Sequence, residues 1–258
     1  MMKQNKWNYV IVPVVIVLLW EVLSRIFQRS FFPGAVASIT ALISLIIDGT
    51  LLLHFWASTY RIVLGTVFGL AAAIPLGLLM GRVSVLDKYL GIAFNVFYPV
   101  PKVVFLPIII VCMGIGDAPK IFLIALVLFF QLTIVIRDGA KNISEDLSQS
   151  MRSLGASRIQ YMTHLVFPAC LPEIMTSVRS TFGVSTAMLF ITENFASFRG
   201  LGYYITRCMD SRDYDSMYAA IIMLGLLGAG LYWGVGLVEK KVCAWKMLET
   251  SSQEQTEG

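Results

Sequence analysis

The sequence predicts an all-α, polytopic membrane helical bundle of six transmembrane helices with one long polar loop on the cytoplasmic side. Three observations predict it. The first is composition: the 258 residues are 57% hydrophobic and 14% charged, with a mean hydropathy of +0.75. Soluble domains run at about 45–50% apolar and about 25% charged. A water-soluble fold of this size lacks the interior to hide so much apolar surface, so the excess faces lipid. The second is the length of the apolar runs. Tyr218–Val235 and Ile121–Ile136 are continuous, unlike the alternating segments of about 10 residues found in barrel strands. Lipid offers backbone groups no partners, so only helices and closed barrels can span it. The third is the placement of Lys and Arg. With the N-terminus inside, the inner segments carry Lys3, Lys6, Arg82, Lys88, Arg137, Lys141, Arg152, Arg158, Lys240, Lys241 and Lys246, and the outer ones carry Arg25, Arg29, Lys120, Arg199, Arg207 and Arg212. Eleven against six places both termini in the cytoplasm.

The spans are expected at about 8–26, 58–80, 86–113, 120–136, 173–195 and 216–238 of a single transmembrane domain covering 1–258. The first follows Lys3 and Lys6 and resembles a signal peptide in outline, but no small-x-small cleavage site follows, so it is read as uncleaved. A mixed segment around Pro33-Gly34 then contains one amphipathic helix, Val36–Ile47. The third span is interrupted by Pro99-Val100-Pro101-Lys102, and prolines inside an apolar stretch bend or break a helix. Gly114–Pro119 makes a tight turn before the fourth span. A polar tail over 250–258 is expected to be disordered.

Several function classes drop out. No Lys/Arg-rich run with interleaved aromatics appears, so no nucleic-acid partner is expected; the bilayer is. Cys112, Cys170, Cys208 and Cys243 stand far apart, which indicates neither a zinc site nor a redox pair. His54 and His164 have no companion at metal-ligand spacing, so neither a metal site nor a catalytic residue is assigned. No Gly-x-x-x-x-Gly-Lys-Ser/Thr run is present, so the chain carries no ATP site of its own.

The informative stretch is the loop 137–172, which is rich in Asp138, Lys141, Glu145, Asp146, Arg152 and Arg158. Ser144 is an N-cap for a helix over Glu145–Leu154, with Glu145 and Asp146 against its positive end. Gly155 permits a sharp turn, and a second helix over Ser157–Phe167 is expected to stop at Pro168. Two short helices held off the membrane, mixing Met151, Leu154 and Ala156 with Arg152 and Ser157, suit docking into a groove of a soluble partner. A solvated connector without a partner satisfies the same residues.

The spacing of this loop resembles the "EAA" loop of ABC importer permeases: Glu-Ala-Ala, three residues, Gly, nine residues, an aliphatic residue, one residue, then Leu-Pro. Counted from Gly155, the triplet falls on Gln149-Ser150-Met151, the aliphatic position on Leu165, and Leu-Pro on Phe167-Pro168. The triplet departs from the pattern while the spacing is kept. Arg152-Ser153-Leu154-Gly155-Ala156-Ser157 is similar to the sulfonate/taurine/nitrate branch, as are Tyr60-Arg61…Gly65, Gly77…Gly81, Pro99-Val100-Pro101-Lys102 with Pro107, and Gly200-Leu201-Gly202-Tyr203. The resemblance covers about residues 8–240. It implies a type I importer permease, which couples to a separate cytoplasmic ATPase through Gln149, Ser150, Met151, Arg152, Leu154, Gly155, Ala156 and Ser157. It further implies a second permease subunit as a homodimer partner, an extracytoplasmic solute-binding protein, and ATP and Mg held by the ATPase rather than by this chain. The cargo class it implies is a small organic anion such as a sulfonate, a nitrate-like anion or a vitamin precursor.

Charges inside a span are costly and mark function or a partner. Lys102, Gln131, Thr192 and Glu193 are the candidates for lining a translocation pathway, with Ser185 and Thr186 as further hydrogen-bonding groups. Arg61 is expected to anchor or pair, with Glu193 as one partner, and Arg179 to pair or snorkel. A self-sufficient carrier or channel is the alternative reading. Such proteins often show paired broken helices in corresponding halves, whereas this sequence has one strongly broken segment. A membrane-embedded enzyme would need clustered acids or histidines, which the sequence does not offer.

Overall fold

A computed structural model describes residues 8–245, with side chains from Ile11 onward. Lys3, Lys6, Lys246 and the tail over 250–258 lie outside the described residues. The described chain is helical and contains no strand. Its helices are α1 (Asn8–Phe27), α2 (Ala35–Ile47), α3 (Thr50–Arg82), α4 (Ser84–Phe97), α5 (Leu106–Met113), α6 (Ala118–Lys141), α7 (Glu145–Ser153), α8 (Arg158–Tyr161), α9 (Phe167–Glu193), α10 (Leu201–Asp210) and α11 (Tyr214–Val242). Four helical stretches are long and apolar enough to cross a membrane: α3, the continuous Arg158–Glu193, α6 and α11. The α4–α5 pair, bent by 82° at the prolines, makes a fifth if its two helices count as one broken span. The 20-residue α1 and the shorter α2 are also apolar; by length and composition the described residues give four to five spans where six are expected.

The described residues pack as two compact units, one of 8–59 with 193–227 and the other of 60–192 with 228–245. In the first unit, α1 and α11 meet through Trp20 stacked on Tyr218 at 5.7 Å, with Phe32 edge-on to Tyr218 at 6.2 Å. Trp20 Nε1 donates to Pro33 O at 3.1 Å and so fixes the chain entering α2. Gly34, the N-cap of α2, has no side chain to offer. Glu21 supplies the missing acceptor from α1, taking the Val36 N–H at 3.3 Å. That contact explains an acid within the first expected span.

The second unit is built on α3 and α6. Gly65, Gly69, Ala73, Gly77 and Gly81 recur every fourth residue along α3. A methyl group at Gly65 would come 2.6 Å from the Ile124 side chain, one at Gly69 2.9 Å from Leu128, and one at Gly77 2.7 Å from Ile136. The two backbones therefore approach as closely as small residues allow, which is how helices associate where hydrophobicity gives no driving force. Ile62, Leu123, Ile124, Leu128, Leu132 and Ile136 are buried around that contact.

One sequence expectation is corrected. The helix after Gly155 does not stop at Pro168: Arg158–Glu193 runs as one 36-residue stretch. A π turn over Met162–Val166, in which the Phe167 N–H reaches Met162 O, widens the backbone just ahead of the proline. Such a turn absorbs the missing donor and the ring clash that would otherwise end the helix. The loop's second helix is thus the start of the next span. α3 begins at Thr50, so the helix extends eight residues ahead of the expected span, over the stretch that carries His54 and Ser58. The segment between the last two expected spans contains a further helix, α10.

Candidate functional site

The loop between α6 and α9 is set by its caps. Ser144 Oγ accepts from Leu147 N at 3.4 Å, and Glu145 and Asp146 occupy the first turn of α7. At the other end Gly155 has φ +74°, with Gly155 N donating to Arg152 O at 2.9 Å and Ala156 N to Met151 O at 3.2 Å. That pair of bonds is the Schellman arrangement, and it satisfies the last carbonyls of α7. Ser157 then opens α8 with a capping box. Gln160 N donates to Ser157 Oγ at 3.3 Å, and Ser157 N donates to Gln160 Oε1 at 2.8 Å. Both helix ends are thereby closed within five residues.

Three apolar side chains stand exposed around this turn. Leu154 is 82% exposed at its tip and Ile159 is 76% exposed beside it, while Leu147 projects from α7. Gln149, Ser150, Arg152, Gly155 and Ser157 are exposed, and Met151 and Ala156 are half-buried. Leu147 and Ile159 were missed by the sequence reading. Their spacing around Leu154 on two helices joined by a glycine was the available signal.

Arg82, at the end of α3, holds the loop in place and was also missed. Its guanidinium donates to Ser148 Oγ at 2.7 Å and to Ala140 O at 3.2 Å, and lies 5.1 Å from the centre of the Tyr161 ring. Tyr161 OH and Ser148 Oγ are 3.0 Å apart. One side chain therefore touches α6, α7 and α8. Replacing Arg82 with alanine should cost about 2–3 kcal/mol, since hydrogen bonds to a charged group are the stronger kind. Thermal unfolding of the purified protein, with proteolysis of the loop, checks this; an unchanged midpoint and an unchanged cleavage pattern would refute it.

In the first unit, Glu193 at the end of α9 is fully buried. Ser58 Oγ lies 2.8 and 2.9 Å from its two carboxylate oxygens, and Gly202 N donates to Oε2 at 2.8 Å. Leu201 N donates to Ser58 Oγ at 2.8 Å, and Gly200 N donates to His54 Nδ1 at 3.0 Å. The accepting Nδ1 puts the His54 proton on Nε2. Glu193, Ser58 and His54 together take up the N–H groups that open α10, where Gly200 has φ +124° and its Cα approaches the carboxylate so closely that a side chain would overlap it. An anionic group at a helix N-terminus is favoured by the same donors and dipole. Behind it, burial, with Cys208 beside it, pushes the Tyr204 phenol up to about 12, and burial also raises the Cys208 thiol.

The other polar residues fall into place individually. Lys102 Nζ donates to Phe97 O at 2.8 Å and Tyr98 O at 2.5 Å, and lies 4.8 Å from the Phe130 ring centre. It closes the carbonyls exposed by the proline break. Thr192 is buried, with its hydroxyl donating to Leu189 O at 2.9 Å. Gln131 is half-buried on α6. Arg61 pairs with Asp117 at 2.6 Å, and Arg179 with Glu239 at 3.3 Å. Among the described residues no three His, Cys, Asp or Glu side chains converge on a metal-sized site.

Comparison with known proteins identifies the fold and the family. Residues 73–243 match the family model described as binding-protein-dependent transport system inner membrane component. The chain is 30% identical over 198 residues to the taurine transport system permease protein of Escherichia coli (strain K12), covering 77% of this chain and 72% of that one. It is 28% identical over 241 residues to a putative aliphatic sulfonates transport permease protein of Bacillus subtilis (strain 168), covering 92% and 86%. The nitrate import permease protein of Leptolyngbya laminosa is 29% identical over 191 residues, covering 73% and 68%. Among solved structures, the inward-facing MetNI methionine ABC transporter superposes with a TM-score of 0.65 at 18% identity, covering 74% of this chain and 96% of that one. A bacterial ABC transporter that imports alginate gives 0.66 at 14% identity, covering 93% and 97%. These likenesses establish the fold, a type I importer permease, and the family match spans most of it. This multi-pass membrane chain therefore belongs to the inner membrane components of binding-protein-dependent transport systems, the permease subunits of ABC importers.

Proposed function

We propose that this chain forms, with a second copy of itself, the translocation pathway of an ATP-driven importer for a small organic anion of the sulfonate, taurine or nitrate type. Both termini and the loop 137–172 face the cytoplasm. A separate ATPase subunit, which holds ATP and Mg, receives the loop in a cleft, and an extracytoplasmic binding protein delivers the solute. The whole chain acts as one permease domain with no catalytic residue of its own. The observation that carries this reading is the rigidly capped turn at Gly155 with Leu154 82% exposed at its tip. An apolar side chain fixed outward on a doubly capped turn has no partner in its own loop and suits a groove in another protein.

In this reading Gln149, Ser150, Met151, Arg152, Leu154, Gly155, Ala156 and Ser157 contact the ATPase. Arg82 transmits the movement of the docked loop to α3. When the ATPase pair closes on ATP, the docked loops move with it and the pathway opens outward; hydrolysis returns it. Gln131 lines the pathway. Lys102, Thr192 and Glu193 shape it as positioning residues: Lys102 holds the proline break, Thr192 bonds within α9, and Glu193 anchors α10. The cargo class rests on the names of the taurine, aliphatic sulfonate and nitrate permeases to which the chain is similar.

Reconstitution tests the proposal. Proteoliposomes containing this chain, its ATPase and a loaded binding protein should accumulate a sulfonate only when ATP is supplied, and the ATPase should co-purify with the chain. Uptake by the chain alone would instead make it a self-sufficient carrier.

A further inference from the structure

Beside the Gly155 turn, the end of α3 and the loop enclose a cleft of about 670 Å³. Arg82, Arg152 and Arg158 border it, and Leu79, Val83 and Met162 form its apolar wall. No Asp or Glu is among its described lining residues. The one carboxylate near Arg152 is Glu145 at 3.9 Å, with both side chains more than 60% exposed, so that pair neutralises little. Three guanidinium groups around one concavity repel one another and concentrate positive potential. Planar guanidinium forks match phosphate geometry in a way ammonium groups do not. The apolar wall matters equally: Leu79 and Val83 are each 44% exposed at the end of the long apolar α3. Apolar surface passing directly into arginines is the profile of a bilayer's headgroup boundary.

We propose that this cleft binds a phosphate-type oxyanion, carried either by an anionic phospholipid headgroup or as free inorganic phosphate. Bound there, the anion bridges Arg82 on α3 to Arg152 and Arg158 on the two sides of the turn, so occupancy stiffens the loop against α3. The cytoplasmic placement of the site rests on the proposed function; the binding itself does not, and it is measured on the chain without an ATPase.

The test uses the purified full chain in neutral detergent. Native mass spectrometry compares retention of phosphatidylglycerol with that of phosphatidylcholine, and thermal unfolding is followed with inorganic phosphate alone. Phosphatidylglycerol should bind about tenfold more tightly than phosphatidylcholine, as loss of one charge-assisted contact would imply. Arg158→Gln should erase most of that preference. Protection by inorganic phosphate that Arg158→Gln removes, without lipid discrimination, would support the site and identify its ligand as the free anion. Equal retention of both lipids with no phosphate effect, or a preference unchanged in an Arg152→Gln/Arg158→Gln double variant, overturns the proposal. Failure of reconstituted uptake, by contrast, would leave the lipid result standing.

Discussion

Replacing Gly155 with valine should abolish ATP-driven uptake while leaving the chain inserted in the membrane. At φ +74° a residue with a Cβ is strained by roughly 1–2 kcal/mol, and a β-branched one is a genuine outlier. That strain is too small to unfold a bundle but large enough to melt the paired bonds from Gly155 N and Ala156 N that end α7. A Cβ at Gly155 would meet nothing within 4 Å in this chain. The defect therefore arises from the turn and from whatever docks on it, not from packing inside the subunit. Asparagine, which tolerates the left-handed region, separates the two causes. Gly155→Asn should keep the turn and lose uptake only if added bulk obstructs the docking surface. Wild-type uptake by the valine variant would remove the loop from the mechanism.

The second large effect is expected at Glu193. Truncation to alanine removes the acceptor of the Gly202 N–H and the partner of Ser58 in a fully buried setting. Buried donors left without partners cost about 1–3 kcal/mol each, so a loss of about 3–5 kcal/mol is expected, together with fraying of α10 from its first turn. Glu193→Gln keeps one acceptor oxygen and should cost less than half as much. Thermal unfolding gives the magnitude, and tryptic cleavage at the exposed Arg207 reports the fraying. Equal stability of wild type and Glu193→Ala would show that α10 is held by its apolar face alone.

The two sites were legible to different degrees, and the difference is physical. The turn at Gly155 is a local device: its N-cap, glycine and capping-box residues all lie between Ser144 and Gln160, so their spacing survives in the linear sequence. The Glu193 cluster joins residues 54, 58, 193 and 200–202, and no local pattern announces such a gathering. An isolated acid in an apolar span was noticed, but its partner was not. α10 could have been found: Leu201, Tyr204, Ile205 and Cys208 follow the helical repeat and are all buried. Three arginines and three aspartates between 199 and 215 give the same segment the composition of an exposed loop. Lys102 was noticed at the proline break, and its ammonium turned out to sit on the carbonyls that the break exposes. Pro168 misled because a π turn defeats the usual rule, and nothing in Met162–Val166 marks that turn in advance.

The α3–α6 pair has a mechanical consequence. Arg61 ties α3 to Asp117 at the start of α6, and Arg82 ties it to Ala140 O near the end of α6. Between these two ties, over roughly 30 Å of helix, the glycines of α3 admit no sliding without a collision. Two rods pinned at both ends and meshed along their length behave as a single stiff beam. A displacement applied at the loop end should therefore appear at the far end as a tilt, with Pro75 the place where α3 can bend, and any softening substitution along the glycine row would turn that tilt into local flexure.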